Sequence, residues 1–140
     1  MEQQELKKKI TNVLDNYTVG TLATVKNNRP HSRYMSFSNE GFTFYTPTDK
    51  ETHKMEEIEA NPYVHILLGY QGEGDGDPYV EVEGKAKIRE DQKIKEWLWT
   101  ERMSRWFTSS GDQNYIALEI EPETIRLMNA DGDTPETLEL

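Results

Sequence analysis

The chain has 140 residues, with 26 acidic and 16 basic side chains and a formal net charge of −10 at pH 7. This length predicts a single domain, and the acidic balance argues against nucleic acid or an anionic membrane surface as the main partner. Cysteine is absent, which excludes disulfides, thiolate nucleophiles and cysteine metal sites. Residues 1–9 are rich in charge and no apolar run is long enough to span a bilayer, so we expect a cytoplasmic protein.

The first predicted elements are a helix and two strands. Apolar side chains recur at three- and four-residue spacings, in Leu6, Ile10, Val13, Leu14 and Tyr17. This periodicity predicts an amphipathic helix over 3–16. Residues 17–26 are rich in strand-forming side chains, and Asn27 and Asn28 supply a turn before a second strand over 30–37. We expect the two strands to pair antiparallel.

The next stretch contains a predicted hairpin. Residues 33–37 alternate apolar and polar side chains, residues 38–41 (Ser-Asn-Glu-Gly) carry turn signals, and residues 42–46 are rich in aromatic and β-branched side chains. Strand-forming runs on both sides of a turn are typical of two paired strands. We therefore predict a hairpin whose turn lies at 38–41.

A short helix is predicted after the hairpin. Met55 and Ile58 have helical spacing within residues 51–60, and Thr48 and Asp49 are available to cap the start. The N-terminal end of a helix carries the positive end of its dipole and unpaired N–H groups. The start of this helix is therefore a candidate anion site.

Basic and hydroxyl-bearing residues converge at that start. Arg33 lies on the predicted hairpin, Thr46 and Thr48 lie at the end of its second strand, and residues 52–54 (Thr-His-Lys) lie in the first helical turn. Cations, hydroxyl groups and a helix N-terminus are the groups that proteins use to bind phosphate. The sequence therefore predicts a phosphate site here.

The middle of the chain predicts two further strands. Residues 63–70 form a nearly continuous apolar run of strand length, which favours a central strand. Residues 71–77 alternate glycine with polar residues and predict a loop. Residues 79–90 alternate apolar and charged side chains, which is typical of a half-buried strand. Gly84 within it indicates a bulge or a close backbone approach.

The segment after this strand predicts a helix with surplus apolar surface. Ile94, Trp97 and Leu98 recur on one face of residues 91–102, which predicts a helix. More apolar side chains follow than one small helix needs, namely Trp99, Met103, Trp106 and Phe107. We expect part of this surface to meet a second subunit.

The end of the chain predicts two short strands and a tail. Residues 115–121 and 124–128 have strand patterns on either side of Pro122 and Glu123, which predict a turn. The tail after Asn129 is acidic, and we expect it to be loose. Six or seven short strands with few helices indicate an antiparallel barrel, although periodicity alone does not favour this barrel over other small all-β folds.

Five ordered blocks resemble the pyridoxamine 5'-phosphate oxidase-like proteins, the FMN-binding split β-barrels, and most of all their bacterial general stress protein branch. The blocks are 33–38 (RYMSFS), 41–46 (GFTFYT), 52–54 (THK) with 61–62 (NP), 79–84 (YVEVEG) and 105–107 (RWF). The resemblance implies a mainly β fold with flanking helices, a Greek-key split barrel of the FMN-binding type. It also implies one domain over 1–130 with a tail over 131–140, and a homodimer with two flavin sites at its interface.

The resemblance implies a set of cofactor-binding residues. They are Arg33, Tyr34, Met35, Ser36, Phe37, Ser38, Tyr45, Thr46, Thr52, His53, Lys54 and Trp106. Arg33 and Lys54 would bind the FMN phosphate, and Trp106 would stack on a flavin of the other subunit. His53 replaces the arginine of related oxidases, so phosphate affinity should depend on pH. Tyr79 stands where those oxidases often carry glutamine.

The implied function is that of an FMN-binding general stress protein, an FMN-dependent oxidoreductase acting on an unknown small substrate. No catalytic side chain is required, because the flavin performs the chemistry. The three histidines lack metal-ligand spacing, so we expect no metal site. The alternatives are a non-catalytic flavin-binding stress or sensor protein, or a split barrel that binds a deazaflavin, haem or pyridoxal phosphate. The Trp and Arg motifs that hold vitamin B6 substrates are not recognisable.

Overall fold

The computed structural model describes residues 1–132 and 134–140. It begins with helix α1 (Gln3–Asn16), which has the bounds that the apolar periodicity predicts. The apolar stripe of α1 is buried in the main core through Leu6, Ile10, Val13 and Leu14. This burial, rather than intrinsic helix propensity, supplies most of the stability of such a helix.

Eight strands form one antiparallel sheet. They are β1 (Val19–Lys26), β2 (Arg29–Ser36), β3 (Ser38–Glu40), β4 (Thr43–Asp49), β5 (Tyr63–Gly69), β6 (Tyr79–Arg89), β7 (Tyr115–Met128) and β8 (Glu136–Thr137). The sheet order is β2-β1-β5-β6-β7-β4-β3, with β8 beside β7. Phe37 alone separates β2 from β3 in the chain, and these strands lie at opposite ends of the order. The chain therefore joins the two ends of the sheet and bends it into a barrel.

The predicted hairpin is wrong in its first strand. Residues 33–36 belong to β2, which pairs with β1 so that Arg33 lies opposite Leu22. The hairpin partner of β4 is the short strand β3, with Ser38 opposite Tyr45. β2 pairs with β1 because a tight turn joins them. Asn27 and Asn28 both have positive φ, as a two-residue hairpin turn requires.

Helix α2 (His53–Ala60) starts later than predicted. Met55 and Ile58 are buried as expected. The N-cap residue is Thr52, which makes no capping bond with its side chain. Asp49 instead orders the turn before the helix, because its carboxylate accepts a hydrogen bond from the backbone N–H of Glu51 at 2.9 Å.

The last long strand corrects a second prediction. β7 runs unbroken from Tyr115 to Met128, where the sequence predicts two strands and a turn. Its register on β6 shifts between Glu83 and Gly84, and Gly84 lies opposite Pro122. A bulge at this point accommodates the proline, which cannot donate to a regular ladder. The bulge predicted at Gly84 is confirmed, and it is the reason why the strand does not break.

Gly84→Ala tests this arrangement. A Cβ at position 84 would lie 2.5 Å from the carbonyl oxygen of Glu121, so the strands would have to move apart. We expect a loss of about 1–3 kcal/mol in the free energy of unfolding, measured by urea titration. Gly111→Ala is the control, because the nearest atom to its added Cβ lies 3.6 Å away. Equal stability of both variants would contradict the close approach.

The helix predicted over 91–102 is divided. Helix α3 (Gln92–Leu98) is followed by a 3₁₀ helix (Glu101–Arg105). Leu98 is buried against the outside of the barrel beside Tyr45. Trp97, predicted on the buried face, is 50% exposed, because so short a helix can turn only a narrow stripe toward the sheet.

The tail is more ordered than the sequence predicts. β8 pairs with β7, and the backbone N–H of Leu138 donates to the carbonyl oxygen of Ile125 at 2.9 Å. Leu138 is 5% exposed and belongs to the main core. Position 133, within the predicted tail 131–140, lies outside the described residues. In the described part of the chain, no helix has the length and apolar character needed to cross a membrane.

Candidate functional site

A cleft of about 600 Å³ opens where the β2–β3 junction and the end of β4 meet the start of α2 and the 3₁₀ helix. We call it the α2 cleft. Its main polar lining residues are Ser36, Ser38, Asp49, Thr52, Lys54 and Arg102. Its apolar wall consists chiefly of Phe37, Leu98, Met103, Trp106 and Phe107. Both the volume and the mixture of an apolar wall with a few polar groups are typical of small-molecule sites.

The α2 cleft brings together half of the residues that the sequence resemblance implies. These are Ser36, Phe37, Ser38, Thr52, Lys54 and Trp106. The other six do not line it, namely Arg33, Tyr34, Met35, Tyr45, Thr46 and His53. The strand residues that do not line the cleft face the barrel core, its outer surface or the polar cluster around Glu57.

Lys54 is the cation at the α2 end of the cleft. Its Nζ donates to Thr52 Oγ1 at 3.1 Å, and it forms no ion pair with any residue that the structure describes. Burial, followed by the positive charge of Arg33, lowers the pKa of Lys54. An anion in the cleft would favour the charged form of this lysine and be held by it.

Arg33 does not line the cleft and belongs to a partly buried polar cluster around Glu57. Its Nη2 donates to Glu57 Oε2 at 3.2 Å, and its Nη1 donates to Thr24 Oγ1 at 2.8 Å and to the carbonyl oxygen of Leu22 at 3.2 Å. Burial by itself raises the pKa of Glu57, but hydrogen bonds from Thr24, His31 and Arg33 outweigh it and lower the pKa. Glu57 is therefore an ionised carboxylate at neutral pH.

Tyr45 and Thr46 point away from the cleft on opposite faces of β4. Tyr45 lies outside the barrel, where its hydroxyl donates to Glu119 Oε1 at 3.2 Å and its ring meets Trp97 edge-on at 5.3 Å. Burial and then the bond to Glu119 raise the pKa of Tyr45. Thr46 is fully buried, and its hydroxyl has no partner among the described residues.

Three remaining residues of the implied set lie elsewhere. Tyr34 is 79% exposed on the outer face of β2, where it lines a separate groove of about 740 Å³ with Leu67 and Tyr79. Met35 points to the other side of β2 and packs against the main core. His53 is exposed at the start of α2.

Sequence reasoning missed Arg102 and Glu57. Arg102 lines the cleft from the 3₁₀ helix, but a single continuous helix was predicted there and its side chain had no assigned direction. Glu57 is one of four glutamates between residues 51 and 59, and no local pattern distinguishes the buried one. Only the packing of α2 against β1 and β2 selects it.

A family model described as pyridoxamine 5'-phosphate oxidase matches residues 6–129. The chain belongs to the pyridoxamine 5'-phosphate oxidase family. It is 59% identical to general stress protein 26 of Bacillus subtilis (strain 168), over the full length of both chains.

Solved structures from this family share the fold. The crystal structure of general stress protein 26 from Bacillus anthracis str. Sterne is 40% identical, with a TM-score of 0.87 over 97% of this chain and 99% of that one. A Listeria innocua protein described as a candidate pyridoxamine 5'-phosphate oxidase is 38% identical, with a TM-score of 0.79 over 89% and 99%. The split-barrel fold and the family expected from the sequence are confirmed.

Proposed function

We propose that the α2 cleft binds FMN and that the protein is an FMN-dependent oxidoreductase acting on a small substrate. One observation carries this proposal: Lys54 and Trp106 line the same cleft. Lys54 has no ion-pair partner among the described residues, and the indole of Trp106 is 65% exposed. The lysine suits a phosphate group, and the indole suits a flat aromatic ring. FMN has both parts.

The residues of the cleft fit such a ligand from end to end. Hydroxyl groups of Ser36, Ser38 and Thr52 lie in the lining with Lys54, where they can donate to phosphate oxygens. Met103 and Phe107 continue the wall beyond the polar end. The cleft therefore offers donors for an anionic end and an apolar wall for an aromatic end, while the Asp49 carboxylate in the lining accepts a hydrogen bond from the backbone N–H of Glu51.

When bound, FMN would supply hydride or electron transfer. The chain itself would bind and orient: Lys54 and Thr52 at the phosphate, and Trp106 over the ring. The apolar wall would keep water from the reacting part of the ring. We assign no side chain as a general acid or base.

The fold alone does not select the cofactor. An FAD-binding protein from Mesorhizobium loti, 21% identical with a TM-score of 0.70, and a heme-binding protein from Mycobacterium smegmatis, 14% identical with a TM-score of 0.72, share the barrel. The side chains favour a flavin, because the described lining of the α2 cleft offers no histidine and only Met103 as a soft ligand for haem iron.

A titration with two flavins tests the proposal. FMN and riboflavin are added separately to the apo-protein, and binding is measured by quenching of flavin fluorescence. Tight binding of FMN and weak binding of riboflavin is expected, because riboflavin lacks the phosphate. Failure to bind either flavin would overturn the flavin function.

Reduction separates the two flavin hypotheses. Rapid bleaching of the bound flavin by NADH or NADPH under anaerobic conditions is expected for an oxidoreductase. A flavin that stays oxidised with both donors would favour the alternative, a flavin-binding stress or sensor protein without turnover.

Trp106→Ala is predicted to weaken FMN and riboflavin equally. The indole would contact the ring, which both flavins share, and stacking contributes about 0.5–1.5 kcal/mol. Both dissociation constants, measured by fluorescence, should rise by the same factor. Trp97→Ala is the control, since Trp97 is also exposed but packs on Tyr45 and does not line the cleft. A loss confined to FMN would contradict stacking by Trp106.

We also propose that the protein is a homodimer and that it is located in the cytoplasm. The groove that Tyr34 lines with Leu67 and Tyr79 supplies apolar surface for a second copy. Light scattering coupled to gel filtration tests the dimer, and cell fractionation tests the location. A monomer at micromolar concentration would contradict the proposed dimer.

A further inference from the structure

A buried carboxylate lies on α2 three residues after Lys54. Glu57, on α2, is 3% exposed. Its Oε2 accepts hydrogen bonds from Thr24 Oγ1 and Arg33 Nη2, and its Oε1 lies 2.5 Å from His31 Nδ1. A buried charge is costly unless it is paired and hydrogen-bonded, and here both oxygens are satisfied. The side chains that satisfy them belong to β1 and β2.

The cluster fixes one edge of the Arg33 guanidinium and leaves another edge free. Nη1 donates to Thr24 Oγ1 and the Leu22 carbonyl oxygen, and Nη2 donates one N–H to Glu57. The Nε–H and the second N–H of Nη2 have no partner among the described residues. Thr24 and Glu57 are hydrogen-bonded to each other and accept from Nη1 and Nη2, so we place them on the Nη1/Nη2 edge. The Nε/Nη2 edge then keeps two parallel N–H groups, which is the geometry that binds two oxygens of one phosphate.

The free edge belongs to an arginine that lies near Lys54. The positive charge of Arg33 is felt by Lys54 strongly enough to lower its pKa, after burial. Arg33 is itself partly exposed, with 26% of its side chain accessible. Glu57 pairs with Arg33, and the charge of Asp49 partly offsets that of Arg33 at Lys54. An anion bound to both cations would relieve the repulsion that remains between them.

We propose that Glu57 is a positioning residue, which holds Arg33 so that its Nε/Nη2 edge is presented to the phosphate that Lys54 also binds. Glu57 does not touch the ligand. Its carboxylate accepts a hydrogen bond from Nη2 and Thr24 accepts one from Nη1, so together they fix the inner edge of the guanidinium. The flexible arginine is then ordered before binding, so less conformational entropy is lost when phosphate arrives. This role rests on the flavin function proposed above.

Glu57→Asp tests positioning without changing charge. Aspartate keeps the carboxylate but is one methylene shorter, so the hydrogen bond from Arg33 Nη2 to the carboxylate would be lost or lengthened. The measured quantity is the ratio of the riboflavin and FMN dissociation constants, obtained by fluorescence quenching. We expect this ratio to fall by about tenfold, because a charge-assisted bond to phosphate depends on the fork geometry. Glu59→Asp, on the exposed side of α2, is the control and should leave the ratio unchanged.

A double variant separates positioning from a general effect on the fold. In Arg33→Ala/Glu57→Asp the ratio should equal that of Arg33→Ala alone, because the residue that Glu57 positions has been removed. An unchanged ratio in Glu57→Asp, or a further fall in the double variant, would overturn the role of Glu57. Equal weakening of FMN and riboflavin would also overturn it, because a purely structural role affects both. A wild-type protein that binds no flavin would instead remove the proposed function, and this role with it.

Discussion

Lys54→Ala is expected to weaken FMN binding by about 1.5–3 kcal/mol, the contribution of a charged hydrogen bond, and to leave riboflavin binding nearly unchanged. Lys54 lines the α2 cleft and lacks an ion-pair partner among the described residues, so its charge is available to a phosphate. Arg33→Ala should give a loss of the same size through the free edge of its guanidinium. Both are measured by titration of the apo-variants with FMN and with riboflavin.

The control for Lys54→Ala is Lys93→Ala. Lys93 is exposed on α3 and does not line the cleft, so the variant changes the net charge equally without touching the site. Its FMN affinity should match that of the wild type. Equal losses for FMN and riboflavin in Lys54→Ala would show that Lys54 does not bind the phosphate. Equal losses of FMN in the two lysine variants would mean that only overall charge matters.

Leu138→Ala is expected to lower the free energy of unfolding by about 2–5 kcal/mol, the usual cost of truncating a buried leucine. Leu138 is 5% exposed and packs in the main core, although it lies in the acidic segment at the end of the chain. The expected loss is large because the surrounding barrel strands cannot collapse into the cavity. Urea unfolding followed by circular dichroism measures the change.

Leu140→Ala is the matched control for this substitution. Leu140 is the same residue type two positions later, but it is 64% exposed. Its truncation should change stability by less than about 0.5 kcal/mol. If both leucine variants were as stable as the wild type, the segment after β8 would contribute nothing to the core. If both were equally destabilised, the loss would not come from burial of Leu138.

The proposed phosphate end of the α2 cleft would combine Lys54, which lines the cleft, with Arg33, which is hydrogen-bonded to the buried Glu57. In a protein with a net charge of −10, an anion is attracted only where cations are locally exposed and unpaired. Lys54 and Arg102 provide such a place in the lining.

Local patterns predicted the elements whose signals are repeated along the sequence. The helix Gln3–Asn16 was predicted with its observed bounds, because four apolar residues recur on one of its faces. The bulge at Gly84 was predicted from a glycine within a strand pattern. The family and the split barrel followed from the order of the RYMSFS, GFTFYT and THK blocks, which no single block would indicate.

Tertiary contacts decided the features that local patterns predicted wrongly. The hairpin partner of β4 is β3 rather than residues 33–37, which pair with β1 as the predicted turn at Asn27 and Asn28 implies. β7 continues through Pro122 because a bulge in its neighbour absorbs the irregularity. Leu138 is ordered because β8 pairs with β7 and the side chain of Leu138 packs in the main core.

The sequence by itself determined the fold family, the helix α1 and the residue types of the proposed anion site at the start of α2. Only the tertiary structure decided which of those residues share a cleft, which lie behind it and which glutamate anchors Arg33. The physical reason is that residue type and periodicity are local properties of the chain. The direction in which a side chain points depends on strand register and on the packing of α2, and both bring together residues that are far apart in sequence.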